Sequence, residues 1–146
     1  MNTFFVRLLL LVPAFIFLAG CAGEKWEVSN IFESGNYKMI GVEDKLGFIY
    51  DDSELTRFYP DERQKYMWHL WGDPEELNGD LKVTATHHKS NNEVTVIESL
   101  PLASANNGAD AHVPSMMSLP KSGMWKLDAF VDEQLHGSVF VKVYED

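Results

Sequence analysis

The chain of 146 residues holds a single cysteine, Cys21. One thiol excludes an internal disulfide and any paired-cysteine zinc or redox site. Basic residues are also scarce: 12 Lys and Arg stand against 22 Asp and Glu, for a formal net charge of −10, and no two of the bases are adjacent. A surface built to neutralise phosphates needs the opposite balance, which argues against nucleic acid as a partner. Gly-x-Ser-x-Gly, His-Glu-x-x-His and a Gly-rich phosphate loop are all missing. The usual routes to hydrolysis, metal-assisted proteolysis and nucleotide chemistry are therefore not signposted, and no cofactor is called for. Sustained helical periodicity, repeats and low-complexity tracts are lacking too. The apolar fraction is 45 %, enough for the core of one domain and too high for a disordered chain.

The N-terminus explains part of that apolar content. Arg7 precedes a run from Leu8 to Phe17, interrupted only by Pro13 and Ala14, and Leu18-Ala19-Gly20-Cys21 follows at once. The run is short for a membrane-spanning helix and reads as a cleaved export signal over residues 1–20. Its ending resembles the bacterial lipoprotein signal, in which the cysteine is acylated and becomes the mature N-terminus. Leu18, Ala19 and Gly20 would be the recognition residues for the signal peptidase, small where it must approach the backbone. The Cys21 thiol would take up the lipid, with palmitate-type acyl chains as the membrane attachment. A retained membrane anchor with an incidental cysteine is the competing reading. Without residues 1–20 the exported part loses one Arg and becomes still more acidic, so lipid rather than protein charge must hold it at an anionic membrane. Residues 21–36 read as the lipidated end and a short tether.

From residue 37 onward, short apolar segments alternate with turn chemistry. Tyr37–Val42 and Leu46–Tyr50 flank Glu43-Asp44-Lys45 as a hairpin. Lys65–Trp71 is aromatic and apolar on both faces, the mark of a strand buried on two sides; a helix over 61–70 capped by Asp61 is the alternative. Leu81–Thr86 and Glu93–Glu98 alternate around the turn Ser90-Asn91-Asn92. Trp125, Leu127, Ala129 and Val131 share one face of a strand that turns at Asp132–Leu135 and returns as Ser138–Tyr144 with Val139, Val141 and Val143 inward. About seven short strands predict an all-β, two-sheet antiparallel sandwich over residues 37–146.

Trp68 in its aromatic strand, with the final hairpin from Ser122-Gly123-Met124-Trp125-Lys126-Leu127 to Val139-Phe140-Val141-Lys142-Val143, resembles immunoglobulin-like β-sandwich domains. More narrowly, Lys45-Leu46-Gly47-Phe48-Ile49-Tyr50, Lys65-Tyr66-Met67-Trp68-His69 and Asn106-Asn107-Gly108-Ala109-Asp110-Ala111-His112 resemble the uncharacterised lipoproteins of Bacillus-type Gram-positive bacteria that carry a sandwich-shaped domain of unknown function. The resemblance covers most of residues 35–145. It implies a fold and a location on the outer side of the cell membrane, and brings no activity with it. Unlike antibody domains, this chain has no cysteine pair flanking Trp68, so packing alone must hold the sheets.

The candidate site residues lie between Leu100 and Lys121, a long segment without a strand signal. Asn106, Asp110 and His112 could line a polar patch for a small ligand or divalent ion. Alternatively, Asp110 caps a turn and His112 packs beneath the crossover. His87-His88 point to opposite faces if extended and cannot easily share one ion, and His69 falls within the aromatic strand. Asp51-Asp52-Ser53-Glu54 offers oxygen ligands but lacks the spacing and glycine of a calcium loop. Trp26 and Trp71 could stack on carbohydrate, although most aromatics fall on strand faces. The expected function is a membrane-anchored, non-enzymatic binding or envelope-structural module with a protein or cell-wall partner. The alternative is a small hydrolase or metal-binding lipoprotein using Asp110 and His112.

Overall fold

A computed structural model describes residues 24–145. The expected signal, its recognition residues Leu18, Ala19 and Gly20, and the lipidated Cys21 lie outside the described residues. Nine strands follow in order: β1 Asn30–Ser34, β2 Tyr37–Val42, β3 Leu46–Ile49, β4 Gln64–Leu70, β5 Asp80–His87, β6 Glu93–Pro101, β7 Ala111–Met117, β8 Gly123–Val131 and β9 Gln134–Val143. They form a five-stranded sheet in the order β1-β2-β3-β4-β7 and a four-stranded sheet in the order β6-β5-β8-β9. Every strand pairing is antiparallel. From β3 onward the chain crosses between sheets after β4, β6 and β7, the Greek-key pattern of immunoglobulin-like sandwiches. The hairpin β1–β2 widens one sheet of that frame.

Three expectations are corrected. Among the described residues there are nine strands rather than about seven. The tether over 21–36 ends early, because Asn30–Ser34 pairs along its whole length with β2; β1 buries only Phe32, so its apolar signal is faint. The segment 100–121 contains β7, which pairs with β4 from Gln64↔Met117 to Leu70↔Ala111. Pro114 hides this strand in the sequence. Proline cannot donate to a ladder and is tolerated on an edge strand, and β7 is the edge of its sheet. The helix over 61–70 does not form: that stretch runs into β4.

The core lies between the sheets. β4 contributes Tyr66, Trp68 and Leu70, β5 contributes Leu81, Val83 and Ala85, β8 contributes Trp125, Leu127, Ala129 and Val131, and β9 contributes Val139, Val141 and Val143. The period-two spacing of these residues turns one face of each strand inward. One half of the core is aromatic around Phe48, whose ring centre lies 4.8 Å from that of Trp68, 5.3 Å from Tyr66 and 6.1 Å from both Tyr50 and Phe58. Phe58 and Tyr66 stack at 4.5 Å. Edge-to-face and offset arrangements of this kind add to the gain from burial alone.

The two fully buried tryptophans differ in one respect. Trp125 Nε1 donates to the Lys121 carbonyl at 2.9 Å, whereas Trp68 Nε1 has no hydrogen-bond partner among the described residues. An orphaned buried N–H costs about 1–3 kcal/mol. Replacement by phenylalanine relieves that cost at residue 68 and creates an unpaired carbonyl at 121. Trp68→Phe is therefore expected to destabilise less than Trp125→Phe by about 1–3 kcal/mol, read from urea midpoints at unchanged slope. Equal losses would contradict it.

Candidate functional site

The outer sides of both sheets are partly covered by the chain itself. Between β6 and β7, residues 103–112 fold back as a hairpin, with main-chain bonds between Ala103 and His112 and between Asn106 and Ala109. The tip of this flap is fastened to the outer side of the five-stranded sheet. Ser34 Oγ donates to the Asn107 carbonyl at 2.6 Å, Trp71 Nε1 donates to the Gly108 carbonyl at 2.8 Å, and the Asn107 amide lies 3.1 Å from His69 Nε2. Close approach constrains the tip. Asn107 has φ of 49° and Gly108 of 84°, and a Cβ on Gly108 would lie 2.7 Å from Ser34 Oγ. Glycine alone suits such a position.

One tautomer of His69 satisfies all its neighbours. Its Nδ1 donates to the Met67 carbonyl at 3.1 Å, leaving Nε2 to accept from Asn107. The ring is fully buried. Burial lowers its pKa below the usual imidazole value, the Met67 carbonyl works against that, and His112 adds to it. His136 is likewise held low, first by burial and then by the Lys45 charge.

The three residues singled out for a ligand patch go to separate structural tasks. Asp110 Oδ2 accepts from the Gly72 amide at 2.9 Å. His112 Nδ1 donates to the Ser104 carbonyl, and its ring stacks 6.3 Å from that of His69. Asn106 closes the flap through its main chain. Among the described residues no hydrogen bond joins the three side chains, and no group of three His, Cys, Asp or Glu is placed to hold a metal. The residue that organises the flap is Asn107, which the sequence reading passed over; the Asn107-Gly108 turn dipeptide was its signal.

The acidic run is also internally bonded. Asp51 Oδ1 accepts from the Ser53 amide at 3.0 Å and the Thr56 hydroxyl at 2.7 Å, and hydrogen bonding from the Ser53 side chain, then the Thr56 hydroxyl and the Ser53 amide, holds its carboxyl down to about 2. Asp52 Oδ1 receives Arg57 Nε at 3.0 Å, the Tyr144 hydroxyl at 2.9 Å and the Tyr50 hydroxyl at 3.2 Å.

A second cover lies on the four-stranded sheet. Residues 24–29 form a strap across β9 and β8. Ser29 donates its amide to the Phe140 carbonyl at 2.9 Å, and its hydroxyl accepts the Phe140 amide at 2.8 Å. Trp26 stacks on His88 with ring centres 4.5 Å apart and meets the edge of Phe140 at 5.3 Å. Lys126 Nζ binds Glu24 at 2.8 Å. Neither Trp26 nor Trp71 is a free stacking platform: Trp71 is engaged by Gly108 and, edge-on at 5.9 Å, by Phe32.

Two open concavities adjoin the strap's sheet. Near the strap, a cavity of about 500 Å³ is lined by His88, Lys89, Met124, Lys142 and Glu145 among others. Toward the opposite end, a shallow groove of about 920 Å³ is lined by Asp80, Glu93, Glu98, Asp128, Asp132 and Glu133, with Lys82 as its one base.

With this geometry in place, kinship can be assigned. A family model described as a domain of unknown function, DUF4871, matches residues 16–141. The chain belongs to this family. The expected kinship with an uncharacterised, Bacillus-type lipoprotein family holds. A search of the curated proteins finds no match. Among solved structures, the DUF4871 chain is similar to an "X-ray Crystal Structure of a Putative Lipoprotein from Bacillus anthracis", at 24 % identity with a TM-score of 0.65. The match covers 91 % of this chain and 96 % of that one. Likeness at that level shows a shared fold.

Two outcomes follow. Asn107→Ala strands the buried His69 Nε2, so it is expected to cost about 1–3 kcal/mol of stability in chemical unfolding; no change would contradict the role given to the flap tip. His69 and His136 bind protons more weakly when folded than when unfolded. Their contribution is complete above the unfolded imidazole pKa of about 6.5 and is lost as pH falls below it. The melting temperature should therefore drop between about pH 7.5 and 5.5, and the combined His69→Gln and His136→Gln variant should show a flatter profile. An unchanged slope in that variant would contradict the assignment.

Proposed function

We propose that this DUF4871 protein is a lipid-anchored module on the outer side of the cell membrane, acting by binding rather than catalysis. The observation that carries the reading is the strap. Glu24, three positions after Cys21 in the sequence, is already bonded to Lys126, so a lipid on Cys21 would attach directly to a folded domain. The Leu18-Ala19-Gly20-Cys21 ending supports acylation there, as does the likeness to a structure described as a lipoprotein. Two or three acyl chains give stable attachment where one gives only reversible binding.

A binding role is supported by what Asp110 and His112 do. Each directs its side chain to a main-chain partner, and among the described residues no hydrogen bond joins the two side chains. A surface open to a protein or cell-wall partner is the outer face of the four-stranded sheet, where Phe130 sits among the groove's carboxylates. Cys21→Ala is expected to abolish acyl labelling and move the protein from the membrane fraction into the soluble fraction. Processed protein that stays in the membrane without Cys21 would overturn the reading.

A further inference from the structure

We propose that the strap fixes how the domain sits on the bilayer, with the strap half of the four-stranded sheet's outer face resting on the lipid headgroups and the acidic groove held away from them. The proposal builds on the lipid-anchor reading. Two residues, Ala22 and Gly23, lie between Cys21 and Glu24, and the three Cα-to-Cα steps reach at most about 11 Å even when fully extended. The point where lipid enters the membrane is thus within about one strand-pair width or two of the face that Glu24, Trp26 and Ser29 occupy. Other exported domains on long linkers can tumble above a membrane; this one cannot while its strap is docked.

The strap is secured by three independent kinds of contact. Main-chain pairing of Ser29 with the β9 edge sets its direction, Trp26 between His88 and Phe140 gives it an apolar footing, and Glu24 is neutralised by Lys126. About a fifth of the Lys126 side chain and half of the Glu24 side chain are exposed, and Lys126 is steadied from its other side by Asp128 at 3.8 Å.

Charge then decides which end of the face approaches lipid. Beyond the strap toward the β5–β6 turn, exposed Lys89 and Lys142 face Glu145, and Met124 and His88 lie between them. With exposed Glu93 at the foot of the turn, that end is close to charge balance. At the other end Asp80, Glu98, Asp132 and Glu133 face Lys82, while Asp128 lies 3.8 Å from Lys126. An anionic leaflet repels the second end and tolerates the first, so the domain tilts with the β5–β6 turn toward the membrane and the groove toward the outside. The two ends lie about 27 Å apart, the length of the eight residues of β5.

The test uses the full lipidated chain in vesicles of phosphatidylglycerol and brominated phosphatidylcholine. Acylation consumes the Cys21 thiol, so an introduced cysteine is the only labelling site. A fluorophore on Lys89→Cys, in the β5–β6 turn, should lose emission to the brominated lipid. The same fluorophore on Glu75→Cys, in the β4–β5 loop at the far end, should not. Trp26→Ala loosens the strap and should erase this contrast while membrane retention stays unchanged. Equal quenching at the two positions, or full contrast surviving Trp26→Ala, would overturn the proposal. Loss of the parent protein from the vesicles would overturn the anchor reading itself, and the orientation with it.

Discussion

No covalent bond ties one sheet of this sandwich to the other, so the structure depends on the dry fit between their inner faces. Phe48, Tyr66 and Trp68 from one side meet Trp125, Leu127 and the valines of β9 from the other, all of them buried. Burying side chains of this size yields roughly 1.5–3 kcal/mol each, and because the gain is non-directional it needs alternation to be sorted into layers. Once the inner faces are committed, the outer faces become mounting surfaces. The flap and the strap are both fitted there.

Each cover also settles a backbone problem. An edge strand presents unpaired amides and carbonyls that invite pairing with other chains. On β9, Ser29 meets both groups of Phe140; on β7, Pro114 removes a donor. The flap performs a related service for His69. By strand alternation this ring belongs to the outer side of β4, yet it is as buried as Trp68, because Asn107 and Trp71 close over it. Polar satisfaction here is local and complete. The flap residues thus bond to the chain's own main-chain groups.

The two covers leave the four-stranded sheet with an uneven outer face, near balance at one end and acidic at the other. The same overall acidity that argues against nucleic acid thereby acquires a direction. The proposed orientation rests on a few contacts at the strap, and the groove is the surface proposed for a partner.

Sequence alone determined the all-β class, the sandwich, the final hairpin and the aromatic strand around Trp68, because period-two burial leaves a direct trace in residue order. It also singled out Cys21, whose meaning lies in its immediate neighbours. Tertiary structure decided the rest. β1 and β7 are edge strands, and an edge needs little apolar content and tolerates a proline, so Phe32 and Pro114 gave no strand signal. Asn106, Asp110 and His112 are close in sequence, but their partners, Ala109, Gly72 and Ser104, are main-chain groups whose positions depend on how the chain folds back. Trp26 reads in isolation as a tether residue. Only the arrival of Phe140 and His88 from β9 and the β5–β6 turn makes it the footing of a strap.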